Sequence, residues 1–247
     1  MVTTLLPPPR LQGAAELLDR LDNTDEEIRG NLRDLQRLNR YFGGVRTVLS
    51  HLGRMMGTHP PDPITVLDIA TGGADIPRAI CRWASRRQLA VALEAVDQGD
   101  QVLAAAAEWS TDFPEIRLRR AHVPPLPYPD RSFDYVISSL FFHHLNEAQG
   151  IVLLREMARV ARRGLLVSDL LRSRVACLLT AITTRLLSGN RLTRHDGPIS
   201  VLRGFRTEEL RRMAAKAGLT DAHVSHHLWF RIALVSTQTD SLKTEGS

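Results

Sequence analysis

Several common features are scarce or missing in this 247-residue chain, and each absence narrows its class. Only two cysteines occur, Cys81 and Cys177, and no Cys-x-x-Cys pair, which excludes a zinc site built on cysteines and leaves two buried thiols as the expectation. No run of 18 apolar residues exists, so no segment is expected to span a membrane. The opening Met1-Val-Thr-Thr-Leu-Leu-Pro-Pro-Pro-Arg10 lacks a long apolar core and does not read as a signal peptide; a cytoplasmic location is expected. Lysine is nearly absent, with Lys216 and Lys243 alone among 32 basic residues. The net charge of +5 is dispersed, its largest clusters being pairs such as Arg86-Arg87, Arg119-Arg120 and Arg162-Arg163, so no dedicated nucleic-acid surface is expected.

What remains is an ordinary globular balance, 43% hydrophobic and 24% charged, organised in three parts. Residues 1–60 read as an N-terminal helical cap. It has a disordered start to about residue 10, a helix over 11–21, a second carrying Ile28, Leu32, Leu35 and Leu38, and a third over about 46–56. Residues 61–237 alternate short apolar runs with amphipathic stretches, with strands expected at 64–69, 89–96, 116–118, 133–138 and 164–168. That rhythm predicts an α/β fold with a doubly wound, Rossmann-like sheet, mostly parallel. Two further runs, 222–227 and 229–236, are too close for a parallel crossover and predict a C-terminal antiparallel hairpin. Between the fifth strand and this hairpin, about 171–206 reads as a lid insertion: a helix over 175–187, a polar loop over 189–204, and then a helix opened by Thr207. Residues 238–247 read as a flexible tail.

The first strand ends at Asp68 and enters a glycine turn, Gly72-Gly73, before a helix; open α/β sheets bind ligands at such strand ends. A second acid, Asp97, closes the second strand, where a carboxylate can accept two ribose hydroxyls. The phosphate-cradling Gly-x-Gly-x-x-Gly is missing, and Asp75 puts negative charge where a pyrophosphate would rest. A cofactor without phosphates fits better, and S-adenosylmethionine, with its cationic amine and sulfonium, tolerates these carboxylates.

Four motifs in order then carry a resemblance. Val66-Leu-Asp-Ile-Ala-Thr-Gly-Gly-Ala74, Val96-Asp97-Gln98, Ala121-His-Val-Pro-Pro-Leu-Pro-Tyr128 and Phe133-Asp-Tyr-Val136 resemble those of class I S-adenosylmethionine-dependent methyltransferases, in the style of the ubiquinone/menaquinone-methyltransferase-like small-molecule group. Ala70 and Ala74 replace two family glycines, and His122 stands where an aspartate usually meets the adenine amino group. The resemblance implies cofactor contacts from Asp68, Ala70, Gly72, Asp97, Gln98, His122, Val123 and Ser139.

Methyl transfer to an oxygen or protonated nitrogen needs a base, and histidine suits neutral pH. Candidates are His143 and His144 after the fourth strand, and His195 beside Asp196 in the expected lid loop; Asp169, past the fifth strand, is a further candidate. Phe141, Phe142, Phe205 and Trp229 are candidate acceptor-pocket aromatics, Asn39 to Gly44 a candidate pocket-closing segment, and Arg203 a surface or lid charge. No metal is expected, although the pairs His143-His144 and His226-His227 are the nearest approach to a ligand set. The expected function is methylation of a small, largely apolar aromatic or polyketide-like metabolite of secondary metabolism, first at a phenolic oxygen. The alternatives are carbon methylation of a quinone-like acceptor, a nucleic-acid methyltransferase, and a cofactor-binding protein without transfer activity. The nucleic-acid reading lacks the Asn-Pro-Pro-Tyr type of motif after the fourth strand. A homodimer is left open.

Overall fold

A computed structural model describes residues 8–13, 16–20, 22–58 and 60–237. The expectations for residues 1–7 and for the tail, 238–247, lie outside the described residues. Seven strands form one sheet: β1 (Ile64–Ile69), β2 (Val91–Asp97), β3 (Ile116–Arg120), β4 (Phe133–Ser139), β5 (Ala161–Leu170), β6 (His223–His227) and β7 (Arg231–Thr237). Their order is β3-β2-β1-β4-β5-β7-β6. The first five run parallel, and β7 is antiparallel to both β5 and β6, as the hairpin predicts.

The sheet is buried on both faces because its strands are apolar at successive positions. Leu67, Ile69, Val136 and Leu165 point to one face and join Leu153, Leu154 and Met157 of α5 (Glu147–Val160) and Leu210 and Met213 of α8 (Thr207–Ala217). Ile64, Val66, Tyr135, Ile137 and Leu166 point to the other. There they meet Val48, Leu52 and Met56 of α2 (Gly44–Met56) and Ile76 and Ile80 of α3 (Asp75–Ser85). Thus α2 is a layer of the core, and only part of the expected N-terminal cap behaves as one. α4 (Asp100–Trp109) and α1 (Asp25–Tyr41) make a smaller cluster through Ala105, Ile28 and Leu32.

Two expectations fail for local reasons. In place of a helix over 11–21, the described residues of that stretch form one 3-10 turn, Leu17–Asp19, flanked by Glu16 and Arg20 in extended backbone. That segment is a strap. Arg10 donates to the carbonyls of His143, Leu145 and Arg203, its guanidinium lying 3.8 Å from the Phe205 ring centroid, and the Leu17 and Leu18 amides donate to the Asp196 carboxylate. Backbone groups spent on partners elsewhere are unavailable to a helix ladder. The expected loop over 189–204 is mostly a helix, α7 (Arg191–Arg203), with Pro198 inside it. Asn190 caps it by accepting from the Leu192 and Thr193 amides, and burial of Leu192, Thr193, Ser200 and Val201 outweighs the Gly197-Pro198 pair. α6 (Arg174–Leu187) packs against α7, and α1 is tied to α7 by polar contacts from Asn31 and Asp34 to Thr193. Strap, α1, α6 and α7 together roof the carboxyl edge of the sheet.

Candidate functional site

One cavity of about 1070 Å³ opens at the carboxyl ends of β1, β2, β4 and β5, beneath that roof. It exceeds the roughly 300–1,000 Å³ of a single small-molecule pocket, so two ligands can share it. Its β1–β2 half is built by the turn after β1. Ala70 (φ 56°), Gly72 (φ 54°) and Ala74 (φ 54°) all take left-handed backbone, so the two alanines that replace family glycines hold the conformation a glycine would favour. The Asp97 carboxylate accepts the Gly72 amide at 3.0 Å and the Gly99 amide at 3.1 Å, fixing turn and strand end together. Burial pushes Asp97 above the usual carboxylate range, against the pull of these amides. Gln98, His122 and Val123 line the same wall, and Ser139 adds a buried hydroxyl without a hydrogen-bond partner among the described residues.

Asp68 is placed elsewhere. It is 2% exposed, lies behind the turn rather than on the cavity wall, and accepts the Thr71 hydroxyl at 2.7 Å. Burial pushes it up to about 8. It orders the turn, and its side chain does not reach the cavity wall. Asp134, the acid of the fourth motif, is likewise structural, accepting the amide and hydroxyl of Thr65 and so locking β4 to β1.

The second half of the cavity holds the histidines. His143 is 4% exposed, and its Nδ1 lies 2.7 Å from Asp169 Oδ1, while its amide donates to Asp169 Oδ2 at 2.9 Å. Burial alone would raise Asp169; the His143 imidazole and the hydrogen bonds from both groups reverse this and hold it below the usual carboxylate range. His144 stacks on Phe141, with ring centroids 6.0 Å apart. Both imidazoles face Glu16 of the strap, at 3.6 and 3.7 Å from their Nε2 atoms. These three residues bring ligand-type atoms within 4.8 Å of one another. Glu16 Oε1, however, already accepts the Ser200 hydroxyl at 2.9 Å and sits 3.6 Å from Arg203 Nη1, so the group is a charge-balanced cluster. Of the other histidine pair, His227 Nε2 lies 2.8 Å from His51 Nε2, away from the cavity wall.

His195 is a correction. It is absent from the cavity wall, its side chain is 45% exposed, and its Nδ1 pairs with the adjacent Asp196 at 2.7 Å. The unexpected helix explains this: Thr193, Asp196, Gly197, Ser200 and Val201 face the cavity at helical spacing, which turns position 195 outward. Arg203, expected as a surface or lid charge, is part-buried and clamps the carbonyls of His143 and His144 at 3.2 and 3.0 Å. Among the aromatics, Phe142 and Phe205 belong to the core, whereas Phe141 and Trp229 line the cavity. Of the Asn39–Gly44 segment, Asn39 and Phe42 line it, with Phe42 edge-on to Trp229 at 5.3 Å.

Sequence reasoning missed Glu16 and Arg231. Glu16 lay in an expected helix, where nothing distinguished it from a surface acid. Arg231 is 3% exposed, reaches Asn39 Oδ1 at 3.1 Å, and is lowered to about 10 by burial against the opposing pull of Asp169 and Asp75. An arginine at the head of an apolar strand was its only signal.

The donor set fits the expected cofactor: an acid at the ribose position, a small-residue turn, an unpartnered hydroxyl, and the half-buried Asp75 at the α3 start in place of a phosphate cradle. Comparisons agree. Residues 67–167 match the family model described as Methyltransferase domain. A demethylmenaquinone methyltransferase of Bacillus licheniformis is 28% identical over 121 residues, 49% of this chain and 47% of that protein. The chain thus spans about half the length of this curated relative. Among solved structures, a SAM dependent methyltransferase from Aquifex aeolicus superposes with TM-score 0.61 at 16% identity, covering 85% of this chain and 97% of that one. Human N-acetylserotonin methyltransferase gives 0.61 at 15%, over 87% and 56%, and the CurJ carbon methyltransferase 0.61 at 16%, over 85% and 58%.

Proposed function

We propose that this chain, whose residues 67–167 match a methyltransferase domain and whose fold is that of S-adenosylmethionine-dependent methyltransferases, transfers a methyl group from that cofactor to the hydroxyl of a small, largely apolar aromatic or polyketide-like acceptor. The observation that carries this reading is the buried His143–Asp169 pair at 2.7 Å on the acceptor side of the cavity. S-adenosylmethionine, when bound, supplies an electrophilic methyl group on a sulfonium. Asp97, the Ala70–Gly72 turn, Gln98, His122, Val123 and Ser139 would hold it. Asp97 has lone pairs beyond those used by the Gly72 and Gly99 amides with which to accept ribose hydroxyls. His143 Nδ1–H donates to Asp169, which leaves Nε2 as the basic atom. Nε2 takes the acceptor's hydroxyl proton, and the Asp169 carboxylate stabilises the resulting imidazolium. α1, α6, α7 and the strap roof this part of the cavity, which shields the developing oxyanion from bulk solvent.

Carbon methylation is the second reading. A demethylmenaquinone methyltransferase and a carbon methyltransferase stand among the similar proteins, and the same base could deprotonate an acidic carbon. Product analysis after incubation with a labelled methyl donor and a panel of phenols, enols and quinols separates the two. Calorimetry with S-adenosylhomocysteine should show binding weakened about tenfold or more by Asp97→Ala, the loss expected for an interaction of about 1.5–3 kcal/mol. No binding by the wild-type chain would sink the cofactor reading. His143→Ala and Asp169→Asn should each lower kcat about 100-fold or more with S-adenosylhomocysteine affinity intact, the scale of general-base catalysis. Full turnover in both would remove the base.

A further inference from the structure

Helix α6 is amphipathic in the inverted sense. Its inward positions are small or polar: Ala176 and Thr184 are 2% and 1% exposed, and Thr180 and Thr183 face the cavity. Those small residues admit α7, since a Cβ on Gly197 would meet the Thr184 Cγ2 at 2.9 Å. Its leucines point the other way. Val175, Leu178, Leu179, Ile182 and Leu186 follow at spacings of three and four along one stripe and are 52, 62, 43, 46 and 77% exposed. Water selects the reverse arrangement, so a continuous exposed apolar stripe marks a surface that meets something else.

The charge around the stripe says what covers it. From Leu170 to His195 there are five arginines and no acid; of these, buried Arg172 pairs with Glu209 and Arg191 with Glu27. Two of the five, Arg174 and Arg185, stand exposed on α6 itself. A second copy docked through a two-fold axis would set these arginines against their own copies with no carboxylate on the helix to answer them. An anionic lipid surface meets both halves of the pattern, taking the leucines among its acyl chains and the guanidiniums at its phosphates. The stripe is also continuous with the cavity, because Leu179 is at once exposed and cavity-lining, as is Trp229, 55% exposed. We propose that α6 is an interfacial helix that seats the protein on an anionic bilayer with the cavity mouth at the surface, so that an apolar acceptor can pass from lipid to site without crossing water.

The test is vesicle flotation of the full chain, and it needs no methyl transfer, so it stands apart from the acceptor assignment. The protein is mixed with vesicles of phosphatidylcholine alone or with added phosphatidylglycerol. The wild type should float with the anionic vesicles and much less with neutral ones, and raised salt should release it. Leu178→Asp with Leu186→Asp should reduce flotation about tenfold or more, because two aliphatic side chains leave the acyl region and two carboxylates face anionic lipid. Arg174→Glu with Arg185→Glu should abolish the preference for anionic lipid. Neither pair lines the cavity, so S-adenosylhomocysteine binding checks that the variants are folded. No flotation of the wild type, or flotation indifferent to both pairs, overturns the proposal. So does a wild-type dimer in light scattering that the leucine pair converts to monomer, which would assign the stripe to a second copy.

Discussion

Ala70 and Ala74 sit at φ 56° and 54°, where an L residue with a Cβ pays roughly 1–2 kcal/mol relative to right-handed backbone. Ala70→Gly with Ala74→Gly should therefore stabilise the fold, by about 1 kcal/mol after the glycines' greater unfolded-state freedom is offset, seen as a rise of a few degrees in Tm. A fall in Tm would mean that the methyl groups pack well enough to outweigh the strain. The neighbouring Asp68 makes a prediction of opposite chemistry. Its folded pKa, about 8, lies above the ordinary 3.8, so the fold prefers the protonated acid. That preference is fully present below pH 3.8 and is lost as pH rises toward 8, so wild-type stability carries a falling contribution across this window. Asp68→Asn keeps an acceptor for the Thr71 hydroxyl and removes the titration, so the difference in Tm between variant and wild type should widen in the variant's favour from pH 4 to pH 8. A constant difference would show that Asp68 is ionised in the fold throughout. The sequence carried these residues into the right motif but not into their roles. Asp68 and Asp97 are both acids at strand ends, and only burial behind the turn, against exposure toward the cavity, separates a turn-ordering group from a ligand-facing one.

At the level of elements, the sheet was legible because its information is local. Apolar runs at 64–69 and 133–138 report a strand buried on both faces, and the short link between 227 and 231 forces antiparallel pairing. The roof was not legible. Gly197-Pro198 signals a break by local rules, yet α7 runs through it because Asn190 caps its start and its cavity face is packed against α1 and α6. This tertiary override cost the reading of His195, whose direction depends on the helix. Asn190→Ala removes the acceptor of two helix amides and should destabilise the protein by about 1 kcal/mol. Hydrogen exchange should rise first in the opening turn of α7 while the β1, β4 and β5 amides keep their protection; uniform loss across the chain would show that α7 unfolds only with the whole domain. Residues that face the cavity from the strap, such as Glu16, have no periodicity to reveal them before the chain is folded.

Across the whole molecule, the strap joins what the sheet alone would leave open. It begins with the Pro8 carbonyl on Arg172 and Arg206, threads Arg10 under the His143–Leu145 carbonyls, and delivers Glu16 to both imidazoles before the Leu17 and Leu18 amides close on Asp196. The Asp196 carboxylate is thus the hinge between strap and lid, and it touches the acceptor half of the cavity rather than the Asp97 half. Asp196→Asn replaces one acceptor oxygen by an amide donor facing a backbone N–H, and losing such bonds costs about 1–3 kcal/mol. The strap should then leave its seat more often. Trypsin should cut after Arg20 about tenfold faster or more, following the open population. The acceptor KM should rise with it, because the chamber around His143 and His144 loses one wall, whereas S-adenosylhomocysteine affinity should stay within about twofold, since Asp97 and the Ala70–Gly72 turn are anchored to β1 and β2 independently. Equal losses of cofactor and acceptor binding would show instead that the strap supports the whole cavity as one unit, and unchanged proteolysis would show that Arg10, with its three carbonyl partners and its stacking on Phe205, holds the strap without Asp196.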